Sequence, residues 1–289
     1  MLTLNHYPAS PATAPYIRRY YVMRVDLSSD ACIIDNMIAE TAFVRFGLLG
    51  NWAIKNAAGD WQANTEPHLF GGGTKPVSVK VEGSFVITGF GIQPAAWKAL
   101  NQTSAAPFTD KMVPLKQVWG GDIVDEMMGK LHSGLDDHEI LAVIDAAIIA
   151  RLAAVGTYTR DEKVAHFEAI SRIDSVVRMD DAAQEIGISV RQLERRCLES
   201  FGMTPKTILR RSRFLDMAMA MRGFSTPNAE ELSAMRYFDQ SHLNREFRRF
   251  VGMTPGAFQK AYTPMMTAGL QLRSLGKELF TDIRSGGQK

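Results

Sequence analysis

Cysteine is scarce in this chain of 289 residues: Cys32 and Cys197 are the only two, and neither sits in a Cys-x-x-Cys or paired Cys/His spacing. That excludes a disulfide framework and a structural zinc, and both thiols are expected to be reduced and structural. Long apolar runs are missing as well. The best of them, residues 140–155, is interrupted by Asp145 and Arg151 and falls short of the ~20 residues a bilayer needs, so it reads as a packed helix. Residues 1–20 lack a basic start followed by an apolar stretch, and Pro8, Pro11 and Pro15 break them up. No secretory signal is visible, and a cytoplasmic protein without a membrane partner is expected. No paired acids or nucleophile triad stand out, and His68, two residues after Glu66, lacks the His-x-His company of a metal site. Gly71 to Gly73 lack the lysine and helix of a phosphate loop. No enzyme activity, cofactor or metal is therefore expected.

Excess charge is missing too, since 33 Lys/Arg against 31 Asp/Glu leave a net +2. The balance is uneven along the chain, however. Residues 1–165 carry 14 basic and 17 acidic side chains, residues 166–262 carry 15 and 12, and residues 263–289 carry 4 and 2. Within residues 191–213, Arg191, Arg195, Arg196, Lys206, Arg210, Arg211 and Arg213 face only Glu194 and Glu199. A basic half behind an acidic one points to double-stranded nucleic acid as partner. Length suggests about two domains, and 46% hydrophobic with 22% charged residues is enough for packed cores.

From Tyr16 to about Thr109, β-branched and aromatic residues alternate with turn signals. Residues 16–25, 42–49 and 52–55 predict strands, with a polar turn at 56–60 before Trp61. Val77, Val79 and Val81, then Gly83-Ser84, then Phe85 and Ile87 predict a hairpin. Short strands at this spacing suggest a sandwich or barrel. Trp52, Trp61, His68, Phe70, Phe85 and Trp97 are its candidate effector pocket, although aromatics of this kind also build sandwich cores. After Pro114 the period lengthens: Ile123, Val124, Met127, Met128 and Leu131 share one helical stripe, and Ile140, Leu141, Ile144, Ile148 and Leu152 another. Asp136 with Glu139 predicts a capping box at the second helix, and Gly156 its stop.

The most informative pattern is an internal repeat. Residues 191–205 match residues 241–255 at a constant offset of 50, pairing Leu193 with Leu243, Arg195 with Arg245, Cys197 with Phe247, and Gly202-Met-Thr-Pro205 with Gly252-Met-Thr-Pro255. In each copy the leucine and the residue four later share an inward helical face. Arg191, Glu194 and Arg195 lie outward in the first copy, and His242, Asn244, Arg245 and Arg248 in the second. A short helical pattern precedes each copy, residues 180–187 with a break at Ile188-Ser189 and residues 229–236 with a break at Tyr237-Phe238-Asp239. Helix, turn and polar-faced helix make a helix-turn-helix. Its second helix enters the major groove, where Arg pairs with guanine and Asn with adenine. Thr204 and Thr254 are expected N-caps, and the free N–H groups they adjoin can take a phosphate. Arg210, Arg211, Arg248 and Arg249 are the other expected phosphate contacts.

These residues, with Asp239-Gln-Ser-His-Leu243 before the second copy, resemble the AraC/XylS family of transcription regulators over roughly residues 165–262. The resemblance implies a seven-helix domain of two helix-turn-helix units joined by a long helix at 206–222. By position it implies base contacts from Arg191, Glu194 and Arg195 and from Ser241, His242 and Arg245, with Asn244 beside them. Two positions depart from the family pattern. Arg236 stands where a glycine is usual, and Cys197 where phenylalanine is usual. Phe70-Gly-Gly-Gly-Thr-Lys-Pro76, Ile92-Gln-Pro94 with Trp97, and Val113-Pro-Leu115 with Trp119-Gly120 are similar to the cupin-like sensor domains that precede some members.

The resulting expectation is an α+β chain of two domains: a β-rich, cupin-like or jelly-roll sensor at 1–112, a helical dimerisation or linker region at 113–160, an all-α double helix-turn-helix domain at 161–262, and a tail at 263–289. Leu270, Leu272, Leu275 and Leu279 allow the tail a short helix. Function follows as sequence-specific regulation of transcription, activation in the first place, with RNA polymerase, a small-molecule effector and a second copy of the chain as further partners. The alternatives are a cupin-like enzyme domain tethered to DNA, and an N-terminal domain used purely for protein–protein interaction.

Overall fold

A computed structural model describes residues 2–56, 58–63, 66–156, 158–226 and 240–286, of which residues 276–286 as helix backbone alone. Strands β1 (Leu2–Tyr7), β2 (Ile17–Val25), β3 (Cys32–Met37), β4 (Phe43–Lys55), β5 (Trp61–Ala63), β6 (His68–Phe70), β7 (Val77–Ile92) and β8 (Met112–Pro114) form one antiparallel sheet. Its order is β1-β2-β7-β4-β6-β8, with β3 on β7 and β5 on β4. Side chains alternate across a strand, so each long strand serves two cores. Tyr20 and Val22, Val44 and Phe46, and Phe90 and Ile92 face helices α1 (Trp97–Asn101), α2 (Leu115–Trp119), α3 (Gly121–Lys130) and α4 (Asp137–Val155). The neighbours in between, Met23, Phe85 and Ile87 among them, face the opposite side, together with Trp52, Phe70 and Val81.

The predicted hairpin at Gly83-Ser84 is instead one continuous strand, β7. Gly83 takes a left-handed turn (φ +67) without breaking the ladder, because Glu82 pairs with Cys32 on one side of it and Phe85 with Val25 on the other. The predicted strands 42–49 and 52–55 also merge, into β4, which bulges at Gly50. Gly50 (φ +88) sits where a Cβ would lie 2.5 Å from the Ser84 carbonyl oxygen, so the two long strands bend together at glycine. The capping box of α4 is present, with Asp136 accepting from Glu139 N, and Gly156 (φ +86) ends the helix.

The C-terminal part is helical: α5 (Glu162–Ile173), α6 (Met179–Ile186), α7 (Val190–Phe201), α8 (Pro205–Met221), α9 (Gln240–Val251), α10 (Pro255–Lys260) and α11 (Pro264–Gly286). Val164, Phe167, Leu193 and Cys197 share one core, and Phe214, Phe247, Phe250 and Phe258 a second. The predicted helix at 229–236, the turn after it and Arg236 lie outside the described residues. The tail forms more than the short helix expected of it. Pro264 opens α11, whose Leu270 enters the second helical core while Met265 and Ala268 pack on the sheet. No helix among the described residues is long and apolar enough to cross a membrane.

Candidate functional site

Helix α7 is set by its first turn. α6 ends at Gly187 in the left-handed conformation (φ +73), and Ser189 then accepts from Gln192 N while the Gln192 side chain accepts from Ser189 N at 2.9 Å. The box fixes the phase of the helix. Leu193 and Cys197 turn into the core, Arg191 and Arg195 stand exposed, and Glu194 is half-buried. Burial pushes the Cys197 thiol upward, so the residue in the usual phenylalanine position is an inert core group. Arg195 lies 3.8 Å from Glu199, whose other oxygen accepts from Lys98 of the N-terminal half at 2.6 Å.

Helix α9 repeats the arrangement. Phe247 and Glu246 are fully buried, Ser241, Arg245, Arg248 and Arg249 are exposed, and His242 and Asn244 are half-buried. Arg249 rests 5.6 Å from the Phe250 ring centroid. Thr204 and Thr254 cap α8 and α10, accepting from Thr207 N and Ala257 N, each at 3.3 Å. Arg210 and Arg211 of α8 hold different partners. Arg210 grips Glu246 through both Nε, at 2.6 Å, and Nη2, joining α9 to α8. Arg211 is a clear correction: it is 1% exposed and donates to the carbonyls of Gly73 at 2.9 Å and Ala39 at 3.3 Å. Consecutive helical residues point about 100° apart, so one basic pair serves two different neighbours.

Both Gly-Met-Thr-Pro turns also dock on the sheet half. At Gly202 (φ +79) a Cβ would lie 2.3 Å from Thr109 Oγ1 and 2.8 Å from the Ala105 carbonyl oxygen. Thr109 donates to the Gly202 carbonyl at 2.6 Å, and Ala105 N donates to that of Glu199 at 2.8 Å. At the second turn, Asn36 Nδ2 donates to the Val251 carbonyl at 2.9 Å, beside Gly252 (φ +76). Next to it Asp35 caps α11, accepting from Met265 N at 2.7 Å and Met266 N at 3.1 Å.

An ionic cluster closes the seam between the halves. Glu40 pairs with Arg172 at 2.9 Å and with Arg273, and Arg273 also holds Asp216 of α8 at 2.9 Å. Arg18 pairs with Glu168, which lies 3.5 Å from Arg172. Burial alone would raise the Glu40 carboxyl, but Arg172 and Arg273 outweigh it and hold the group down at about 2.

Beside this cluster, α11 and the sheet enclose a cavity of about 160 Å³. Arg19 and Phe43 face each other across Gly91, and Tyr21 and Arg45 across Gly89 one row along. Arg45 donates to Tyr21 Oη at 3.0 Å and lies 5.1 to 5.9 Å from the ring centroids of Phe43, Trp52, Tyr21 and Phe70. The six aromatic and histidine residues predicted for a pocket do not line this space. Trp52 and Phe70 form the layer around Arg45, and Trp52 with Trp61 borders a separate open groove. Phe85 is core, and His68 is buried with Nδ1 2.7 Å from the Glu66 carbonyl oxygen. Trp97 packs on the opposite face of the sheet, donating to the Thr103 carbonyl at 2.7 Å. No grouping of His, Cys, Asp and Glu suited to a metal occurs among the described residues.

No curated protein matches the chain. Among solved structures it is similar to ToxT from Vibrio cholerae, at 9% identity and a TM-score of 0.45, over 89% of this chain and 97% of that one. ToxT bound to (E)-4-(8-methylnaphthalen-1-yl)but-3-enoic acid aligns at 10% identity and a TM-score of 0.46, over 93% and 99%. The AraC-like transcriptional activator CuxR aligns at 13% identity and a TM-score of 0.25, over 75% and 86%. The helix-turn-helix domain family matches residues 182–261, the stretch that holds α7, its Gly-Met-Thr-Pro turn and the whole second copy of the repeat. Residues 182–261 are a helix-turn-helix domain.

Proposed function

We propose that the protein regulates transcription by reading DNA sequence with α7 and α9 in successive major grooves, under the control of its N-terminal half. The observation that carries this reading is the pair of matched outward faces, 50 residues apart, each on a helix whose inner face is locked into its own core. Arg191, Glu194 and Arg195 contact bases from α7, and Ser241, His242, Asn244 and Arg245 from α9. Arg248, Arg249 and the helix starts at Thr204 and Thr254 hold phosphates and set the register without reading sequence. The N-terminal half serves as a cupin-like sensor of a small molecule, residues 113–160 pair two copies, and activation proceeds through RNA polymerase in the cytoplasm. The enclosed space between sheet and α11 supports the sensor version over a purely protein-binding one.

Selection of bound DNA from a random pool tests the reading, with full-length protein beside an Arg195→Ala/Arg245→Ala variant. Two enriched blocks about one helical turn apart, lost in the variant, are expected. Single variants then separate the roles. Arg245→Ala is expected to cost about 1–3 kcal/mol and to relax one base position. Arg249→Ala is expected to weaken all sequences alike and to reduce the salt slope by about 0.9. Enrichment of no motif, or equal behaviour of the two single variants, contradicts the proposal.

A further inference from the structure

We propose that the cavity between the sheet and α11 is a binding site for one compact apolar acid, its carboxylate held by Arg19 and Arg45 and its body seated between Phe43, Met23 and Leu272. The inference rests on the reading of the N-terminal half as a small-molecule sensor, and it names the ligand class and the route by which occupancy reaches DNA.

Charge pairing separates these two arginines from their neighbours. Arg18, Arg172 and Arg273 each hold a carboxylate, and Arg211 holds backbone carbonyls. Arg45 reaches only Tyr21 Oη and Met37 Sδ, and Arg19 makes no hydrogen bond or ion pair among the described residues. Glu40 is close enough to be felt by Arg19, but it already takes Arg172 and Arg273. Both guanidiniums are half-buried at the cavity wall, where each offers charge-assisted donors to an anion. Neither holds a carboxylate.

His6, which pairs in register with Tyr21 but is not part of the cavity lining, adds no counter-charge: burial and the charge of Arg19 hold its pKa down at about 4, so near neutral pH it is uncharged. Gly91 carries no side chain between Arg19 and Phe43, whereas the space over Gly89 is taken by the Tyr21 hydroxyl. Size limits the remainder. A cavity of about 160 Å³ is close to the roughly 150 Å³ that admits benzene in an engineered core, so a ring-sized body fills it.

One wall belongs to α11, through Met265 and Leu272, and Leu270 of the same helix lies in the core that supports α9. A ligand pressing on α11 therefore acts on the mounting of the second reading helix.

The test uses full-length protein without DNA, titrated by calorimetry with benzoate, phenylacetate and 3-phenylpropionate, each beside its alcohol, and with hexadecanoate. At least one aryl acid is expected to bind at one per chain, about tenfold or more tighter than its alcohol and than hexadecanoate. Arg19→Gln and Arg45→Gln are each expected to weaken the acid about tenfold or more, the loss typical of one charge-assisted contact, and to leave the alcohol unchanged. Arg19, half-buried near the start of β2, keeps the comparison available if Arg45→Gln fails to fold. Binding by none of the acids, equal binding of acid and alcohol, preference for hexadecanoate, or acid affinity unchanged in Arg19→Gln overturns the proposal. DNA selection is read separately, so failure here is distinguishable from failure of the DNA-reading function.

Discussion

Replacing Arg273 with methionine tests the ionic seam at its centre. Arg273 is 3% exposed and donates Nη2 to Asp216 at 2.9 Å, Nε to the same oxygen at 3.3 Å, and Nη1 to Glu40. Methionine keeps most of the aliphatic volume, so the change withdraws a cation from the buried Asp216 and from the half-buried Glu40, which keeps Arg172, without opening a large void. Breaking a buried pair from one side costs about 3–5 kcal/mol, because the remaining charge stays out of water. Against a total stability of about 5–15 kcal/mol that loss is large. Because Glu40 lies just after β3 and Asp216 lies in α8, the loss also uncouples the halves. Urea unfolding followed by tryptophan fluorescence, which reports the sheet half where all four tryptophans lie, and by far-UV circular dichroism, dominated by the helices, is the assay. Expected is a lower midpoint and a separation of the two curves, with partial recovery in Arg273→Met/Glu40→Gln/Asp216→Asn. A loss below about 1 kcal/mol, the value of an exposed pair, would refute the reasoning.

Acid should act on the same cluster. Glu40 is depressed in the folded state to about 2 from 4.5, so its contribution is complete above about pH 4.5 and is lost as pH falls toward about 2. The difference in Tm between the wild type and Glu40→Gln is therefore expected to shrink over that window, and a difference that stays constant with pH contradicts the assignment. Gly202→Ala combines a left-handed backbone with a Cβ 2.3 Å from Thr109 Oγ1, and is expected to lower stability by about 2 kcal/mol or more, measured by thermal unfolding. Gly156→Ala, equally left-handed (φ +86) but with nothing within 4 Å, isolates the backbone part and should cost less. A thiol reagent should titrate Cys32 rapidly in the native protein and Cys197 only in denaturant, since Cys32 is exposed and Cys197 fully buried.

The reading units were legible in the sequence because their determinants are local. Ser189 with Gln192, Thr204 with Pro205 and Gly202 each act within a few residues, and an offset of 50 doubles the signal. The seam was not legible, because its members lie far apart along the chain: Glu40 meets Arg273, and Asp35 meets Met265. No periodicity separates a basic side chain aimed at phosphate from one buried against another domain, which is why Arg211 misled. Gly83-Ser84 misled for a different reason. A positive φ suits both a tight turn and a bend within a strand, and only the pairing of Glu82 and Phe85 decides between them. Trp52, Phe70, Phe85 and Trp97, offered as pocket residues, are core, and Trp61 borders the open groove, while the cavity wall includes arginine, methionine and glycine positions that carry no compositional signature.

The paired docking of Gly202 and Gly252 has a consequence for operator architecture. With the first turn held by Ala105 and Thr109 and the second by Asn36 of β3, α7 and α9 lose independent orientational freedom before DNA arrives, so less ordering remains to oppose association. Such a mount is intolerant of phase. Each base pair inserted between two half-sites rotates one of them by about 35° around the duplex, and a frame anchored at both turns cannot follow. Freeing only the Asn36 side would let α9 swing while α7 stays in place. The number of base pairs between blocks would then be read strictly by one state of the protein and loosely by the other.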